Sequence, residues 1–139
     1  MKPLLEILIG GVLALCTIVL YNWVNHPSPY LRLKATVVPP TPVNGPVNVA
    51  VEVFRLERCP YWLERTIYDS KVNKILDERL WYTTPKTKGE DKFNAPVPIR
   101  VQMEKGLGIY SVRIGSVCNP YHRLFPLWSN WIESEFVVE

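Results

Sequence analysis

The chain has little of what catalysis usually needs. It holds two histidines and three cysteines, and one of the histidines, His26, lies just after an apolar N-terminal segment. No Cys-x-x-Cys or His-x-x-x-His spacing occurs, which argues against the common zinc arrangements. Gly-x-Ser-x-Gly is absent, and so is a glycine-rich loop able to cradle phosphate. Neither sign of charge dominates: 16 basic residues face 13 acidic ones, giving a net charge of +3. The basic residues are dispersed and form no run, so the electrostatic footprint of a nucleic-acid binder is missing. No Asn-x-Ser/Thr sequence occurs, so no glycan is expected, which fits a bacterial or phage origin. The expectation is a protein without cofactor, metal or nucleic acid.

What the sequence does have is a long apolar start. From Leu4 to Val24 the only charge is Glu6. At 1.5 Å per residue the segment reaches about 30 Å, the thickness of a bilayer core. Tyr21 and Trp23 stand at its end, where amphipathic rings settle among headgroups. A cleaved secretory signal would have a shorter apolar region and small residues at the cut, and Tyr21-Asn22-Trp23-Val24 offers none. Residues 1–25 therefore read as a cytoplasmic tip and an uncleaved signal-anchor helix. Gly10-Gly11 would permit close packing with a second anchor, and so a homodimer. The flanking charges, Lys2 before the helix and Arg32 and Lys34 after it, nearly balance and leave orientation open.

Residues 26–30 form a proline tether, since Pro27 and Pro29 forbid a continued helix. The rest, 31–139, alternates with the period of strands. Seven runs are expected. They are Leu31 to Val37, Val47 to Phe54, Arg65 to Tyr68, Ile75 to Tyr82, Val97 to Met103, Tyr110 to Ile114 and Ile132 to Val138. Asp69 to Lys74 reads as a hairpin turn, and Pro85 to Lys92 as a solvated polar loop. The 13 prolines fall largely between the periodic runs, as they do around strands that must keep their ladder bonds. The fold class predicted is all-β: a seven-stranded antiparallel sandwich behind one transmembrane helix.

Lys105-Gly106-Leu107-Gly108-Ile109-Tyr110 resembles the tyrosine corner of immunoglobulin-like and fibronectin-like domains. The resemblance implies that Tyr110 opens strand F and that its hydroxyl bonds back to the preceding chain. Trp62 or Trp81 would be the core tryptophan. Position 112 is Val rather than the second cysteine of antibody-type domains. What is implied is a fold and no particular function.

Two short motifs echo each other: Cys59-Pro60-Tyr61-Trp62 and Cys118-Asn119-Pro120-Tyr121-His122. Read as chemistry, Cys59 or Cys118 would be a nucleophile with His122 as its base, oriented by Asn119 or Glu64. Read as structure, the two cysteines are a staple. Cys59 shares the parity of Val47 to Val53, and Cys118 that of Tyr110 to Ile114. If those runs are strands B and F of such a sandwich, both cysteines reach the same end of the domain. A disulfide there persists only in an oxidising compartment, which would place the domain in the periplasm or outside the cell.

The same topology gathers the loops after the two strands beside the tether. Tyr61, Trp62, Tyr121, Arg123, Phe125, Leu127 and Trp128 are then expected to contact membrane lipid or another envelope protein. The function expected is a non-enzymatic interaction or envelope-assembly module, with a membrane-tethered thiol enzyme as the alternative.

Overall fold

The computed structural model describes residues 2–83 and 87–139. Helix α1 spans Lys2–Val24, and Pro3–Val24 within it is long and apolar enough to cross a membrane. At 1.5 Å per residue those residues reach about 33 Å. The Thr17 hydroxyl donates back to the carbonyl of Leu13 at 2.8 Å, which pairs it within the helix itself. The helix ends at Asn25, whose backbone and side-chain amides both donate to the carbonyl of Tyr21, at 3.0 and 2.9 Å. The tether is pinned again at Pro29, whose carbonyl accepts from Leu56 at 2.8 Å.

Eight strands follow: β1 (Tyr30–Val38), β2 (Val47–Arg55), β3 (Tyr61–Tyr68), β4 (Lys74–Tyr82), β5 (Gly89–Val97), β6 (Gly106–Ser116), β7 (Leu127–Trp128) and β8 (Ile132–Val138). A four-residue 3-10 turn, η1 (Pro120–Arg123), precedes β7. The strands form two antiparallel sheets. One has the order β1-β2-β5; in the other β4-β3-β6-β7 is joined by β8, also paired with β6. Val37, Val47, Val49 and Val97 from the first sheet and Ile67, Val112, Phe136 and Val138 from the second share one buried apolar cluster. The hairpin expected at Asp69–Lys74 is present. Asp69 ties it by accepting from the backbones of Lys71 and Asn73 and from the Asn73 amide, at 2.9–3.0 Å.

The strand count corrects the expectation of seven, at two places. The run Val97 to Met103 is not a strand. Proline flanks Val97 on both sides, and the chain beyond it sends Met103 into the core with a single backbone bond, from its N–H to the carbonyl of Val43 at 3.0 Å. The strand lies earlier and takes in the second half of the expected polar loop, from Gly89 to Lys92; Pro85 and Lys86 of that loop fall outside the described residues. Along β5, Asp91, Phe93, Ala95 and Val97 pair with the inward positions Val53, Val51, Val49 and Val47 of β2. The charges on its other face suit an edge strand, which must resist pairing with another chain. The second difference is β7, two residues within the expected aromatic loop.

Tyr110 also departs from the expected corner. It is the fifth residue of β6, opposite Ile67 and buried, and among the described residues its hydroxyl makes no bond back to the chain. The glycines near it have a different physical cause. A Cβ on Gly108 would meet the Phe136 ring at 2.7 Å, and one on Gly115 would meet the Trp128 ring at 2.8 Å. Each aromatic is the cross-strand partner of the glycine it covers. Neither Trp62 nor Trp81 is in the core; both lie on the outward face of the five-stranded sheet, opposite each other across β3 and β4.

Candidate functional site

The end of the domain that meets the helix is built around a disulfide. Cys59 follows β2 in one sheet, Cys118 follows β6 in the other, and they are bonded with their Cα atoms 4.8 Å apart. Neither sulfur is then a thiolate able to attack. His122 is completely buried; its Nδ1 accepts from the Cys118 N–H at 3.3 Å. Its Nε2 lies near the carbonyl of Trp23 without closing a hydrogen bond. Burial pushes this imidazole below its usual pKa, so the ring is neutral near pH 7. His26 sits 5.6 Å away, centroid to centroid, and 3.3 Å from the Glu57 carboxylate. His26, Glu57 and Cys118 have ligating atoms within 4.8 Å of one another, but the Cys118 sulfur is committed to Cys59.

Asn119 is the hinge pin. Its side-chain oxygen caps η1 by accepting from the His122 N–H at 3.2 Å, and its Nδ2 donates to the carbonyl of Trp23 at 3.3 Å. The last turn of α1 is thereby held against η1. Tyr121 stacks on Phe125 at 5.1 Å, and Arg123, Leu124 and Phe125 project into the surroundings, with Leu124 78% and Phe125 60% exposed.

The seven expected contact residues separate into three groups. Arg123 and Phe125, together with Leu124, form an exposed apron, with the half-buried Tyr121 packed against Phe125. Trp62 and Trp128 belong to a ladder on the outer face of the five-stranded sheet, and Leu127 begins β7, half-buried, beside it. There the Arg113 guanidinium lies 4.4 Å from the Trp128 ring and 4.7 Å from that of Trp131. Arg79 lies 4.6 Å from Trp62 and 5.2 Å from Trp128. Glu64 accepts from Arg113 at 2.6 and 2.7 Å, and Trp62 packs on Trp81 at 4.8 Å. Tyr61, the last of the seven, faces inward and stacks on Tyr82 at 5.1 Å.

Tyr61 lines a feature not foreseen from sequence, a cavity of about 110 Å³ between the two sheets. Arg55 and Arg65 reach it from opposite sheets, both buried. Arg55 Nη1 donates to Asp91 at 2.9 Å and to Thr87 at 3.0 Å, while Arg65 Nε donates to Glu78. The Arg55 guanidinium holds the Asp91 carboxyl below its usual range, against the opposing effect of burial. Burial pushes the hydroxyls of Tyr61 and Tyr110 up to about 12. A clue was present in the sequence. Arg55 continues the inward parity of Val47 to Val53, so a cation there has to be taken inside.

No family model matches the chain, and no curated protein does. Among solved structures the chain is similar to dimeric latent PorU from Porphyromonas gingivalis, at 14% identity and a TM-score of 0.43. That match covers 82% of this chain and 10% of the other, so the chain spans about a tenth of that protein's length.

Proposed function

We propose that this is a single-pass membrane protein whose β domain, an immunoglobulin-like sandwich, works outside the cytoplasm as a non-enzymatic interaction or envelope-assembly module. The observation that carries the reading is the joint between helix and domain. Asn119 grips the carbonyl of Trp23, the tether is pinned at Pro29, and the exposed Leu124 and Phe125 follow directly after η1. With α1 in a bilayer, Tyr121, Leu124 and Phe125 rest at the headgroup level, where aromatic and aliphatic side chains replace water with lipid. Arg123 stands among them, suited to lipid phosphate. The domain is then carried at a fixed pose rather than on a slack leash, as suits a module that presents one face to another envelope protein. The disulfide supports an oxidising compartment, and hence a cytoplasmic N-terminus.

A pair of reporters fused at the C-terminus, one active only outside the cytoplasm and one only inside, tests the orientation. Activity of the outside reporter is expected, with Cys59–Cys118 recovered as a disulfide by non-reducing mass spectrometry. Activity of the inside reporter would overturn the reading.

A further inference from the structure

We infer that the cavity between the sheets is a binding site for a small amphipathic anion, a short or branched aliphatic carboxylate smaller than a benzene ring. This is independent of how the domain sits on a membrane. The walls supply the apolar half: Ala35, Val51, Val53, Ala95, Val112 and Ile114. The polar half is rich in donors and short of free acceptors. Asp91 already accepts from Arg55, and Glu78 from Arg65. Arg55 Nε is buried and makes no hydrogen bond, although Arg55 is only 6% exposed. Leaving such a donor unpaired is unfavourable, and the group that relieves it must bring an acceptor. Tyr30, Tyr61, Tyr82 and Tyr110 line the same space. Burial raises the pKa of Tyr30, Tyr61 and Tyr110, so those three phenols remain donors throughout the physiological range.

Charge decides between a neutral acceptor and an anion. Two arginines from opposite sheets converge on the cavity, and a carboxylate takes charge-assisted bonds that a carbonyl or alcohol does not. Burying two guanidiniums, whose partner carboxylates stay partly exposed, costs desolvation that well-packed aliphatic residues would avoid. A ligand that uses their donors gives them a reason to be there. Size sets the other limit. A dry engineered cavity of about 150 Å³ accepts benzene, so 110 Å³ suits a ligand of roughly four carbons and excludes an aromatic ring or a long acyl chain.

The test uses the full chain in phospholipid nanodiscs, with 2-fluoroisobutyrate as the probe and 2-fluoro-2-methylpropan-1-ol as its uncharged counterpart. The readout is fluorine NMR line broadening, with empty nanodiscs as the baseline. Saturable broadening of the carboxylate is expected with the wild type, and weaker binding of the alcohol. Ala95→Phe fills the cavity and is expected to abolish the effect. Arg55→Lys keeps the charge opposite Asp91 but removes the guanidinium donors, and is expected to weaken binding about tenfold. Broadening of the carboxylate no greater than with empty nanodiscs would overturn the site, as would full binding by a folded Ala95→Phe chain. Should that variant not fold, unchanged affinity in Arg55→Lys, or preference for the alcohol, would overturn the anion assignment.

Discussion

The side-chain amide of Asn119 donates to the main-chain carbonyl of Trp23, 3.3 Å away and 96 residues earlier in the chain. One residue thus caps the turn after β6 and holds the end of the apolar helix. Replacing Asn119 with Ala removes both bonds, and loss of a cap costs about 1 kcal/mol. The loss should be local. Hydrogen exchange of the full chain in nanodiscs should quicken at residues 119–125 and at the tether, while the cores of β3 and β6 keep their protection. Uniform quickening would contradict the hinge.

The disulfide closes a loop with a sequence separation of 59. In the chain-entropy view, its removal by the paired change Cys59→Ala and Cys118→Ala destabilises the domain by roughly 4 kcal/mol. Denaturant unfolding followed by tryptophan fluorescence measures it. Since four of the five tryptophans lie in β3, β4, β7 and the segment before β8, the probe reports on the domain rather than on α1.

The arginine–tryptophan ladder should show coupling. Arg113 touches Trp128 and Trp131 with its face and Glu64 with its edge. A double-mutant cycle between Arg113→Ala and Trp128→Ala is expected to return a favourable coupling of about 1 kcal/mol. Gly115→Ala should disturb the same stack, because the added methyl meets the indole of Trp128. An additive cycle would mean that the stacking contributes nothing beyond burial.

Asp69 makes stability depend on acidity. Burial alone would raise its pKa, but bonds from Asn73, Glu104 and Lys71 outweigh it and hold the carboxyl below the ordinary 3.8. A group depressed in the folded state contributes stability that is complete above its unfolded pKa and is lost as pH falls through the folded value. Midpoints of denaturant unfolding should therefore fall as pH drops below about 4. Asp69→Asn should be less stable at pH 7 and lose less on acidification. An equal acid slope in the two proteins would remove Asp69 from the account.

Much of this architecture is legible in the chain because it rests on strong, local regularities. The apolar run before Asn25, the hairpin turn at Asp69–Lys74 and the period-two valines of β2 each announce themselves. The parity of Cys59 and Cys118 also points to the bond that the structure contains. β5 escapes the same reading because an edge strand hides its alternation: Asp91 occupies an inward position, paired with Arg55, among outward charges. The cavity escapes for a related reason. Arg55 and Arg65 stand on inward positions, yet charged side chains ordinarily mark the wet face, and only the folded partner strands show where their acids lie. Tyr61 and Trp62 are adjacent in sequence and read as one surface, but the pleat sends them to opposite faces of the sheet.

On the proposed reading, Tyr121, Leu124 and Phe125 lie on a bilayer that holds α1. Photolabelling of the full chain in nanodiscs containing a diazirine lipid, with the diazirine near the glycerol backbone, tests this most directly. Mass-spectrometric mapping should find adducts at the C-terminal end of α1 and within residues 121–125, and the latter should fade when Leu124 and Phe125 are replaced by Ser. Adducts confined to α1, with 121–125 unlabelled in the wild type, would contradict it.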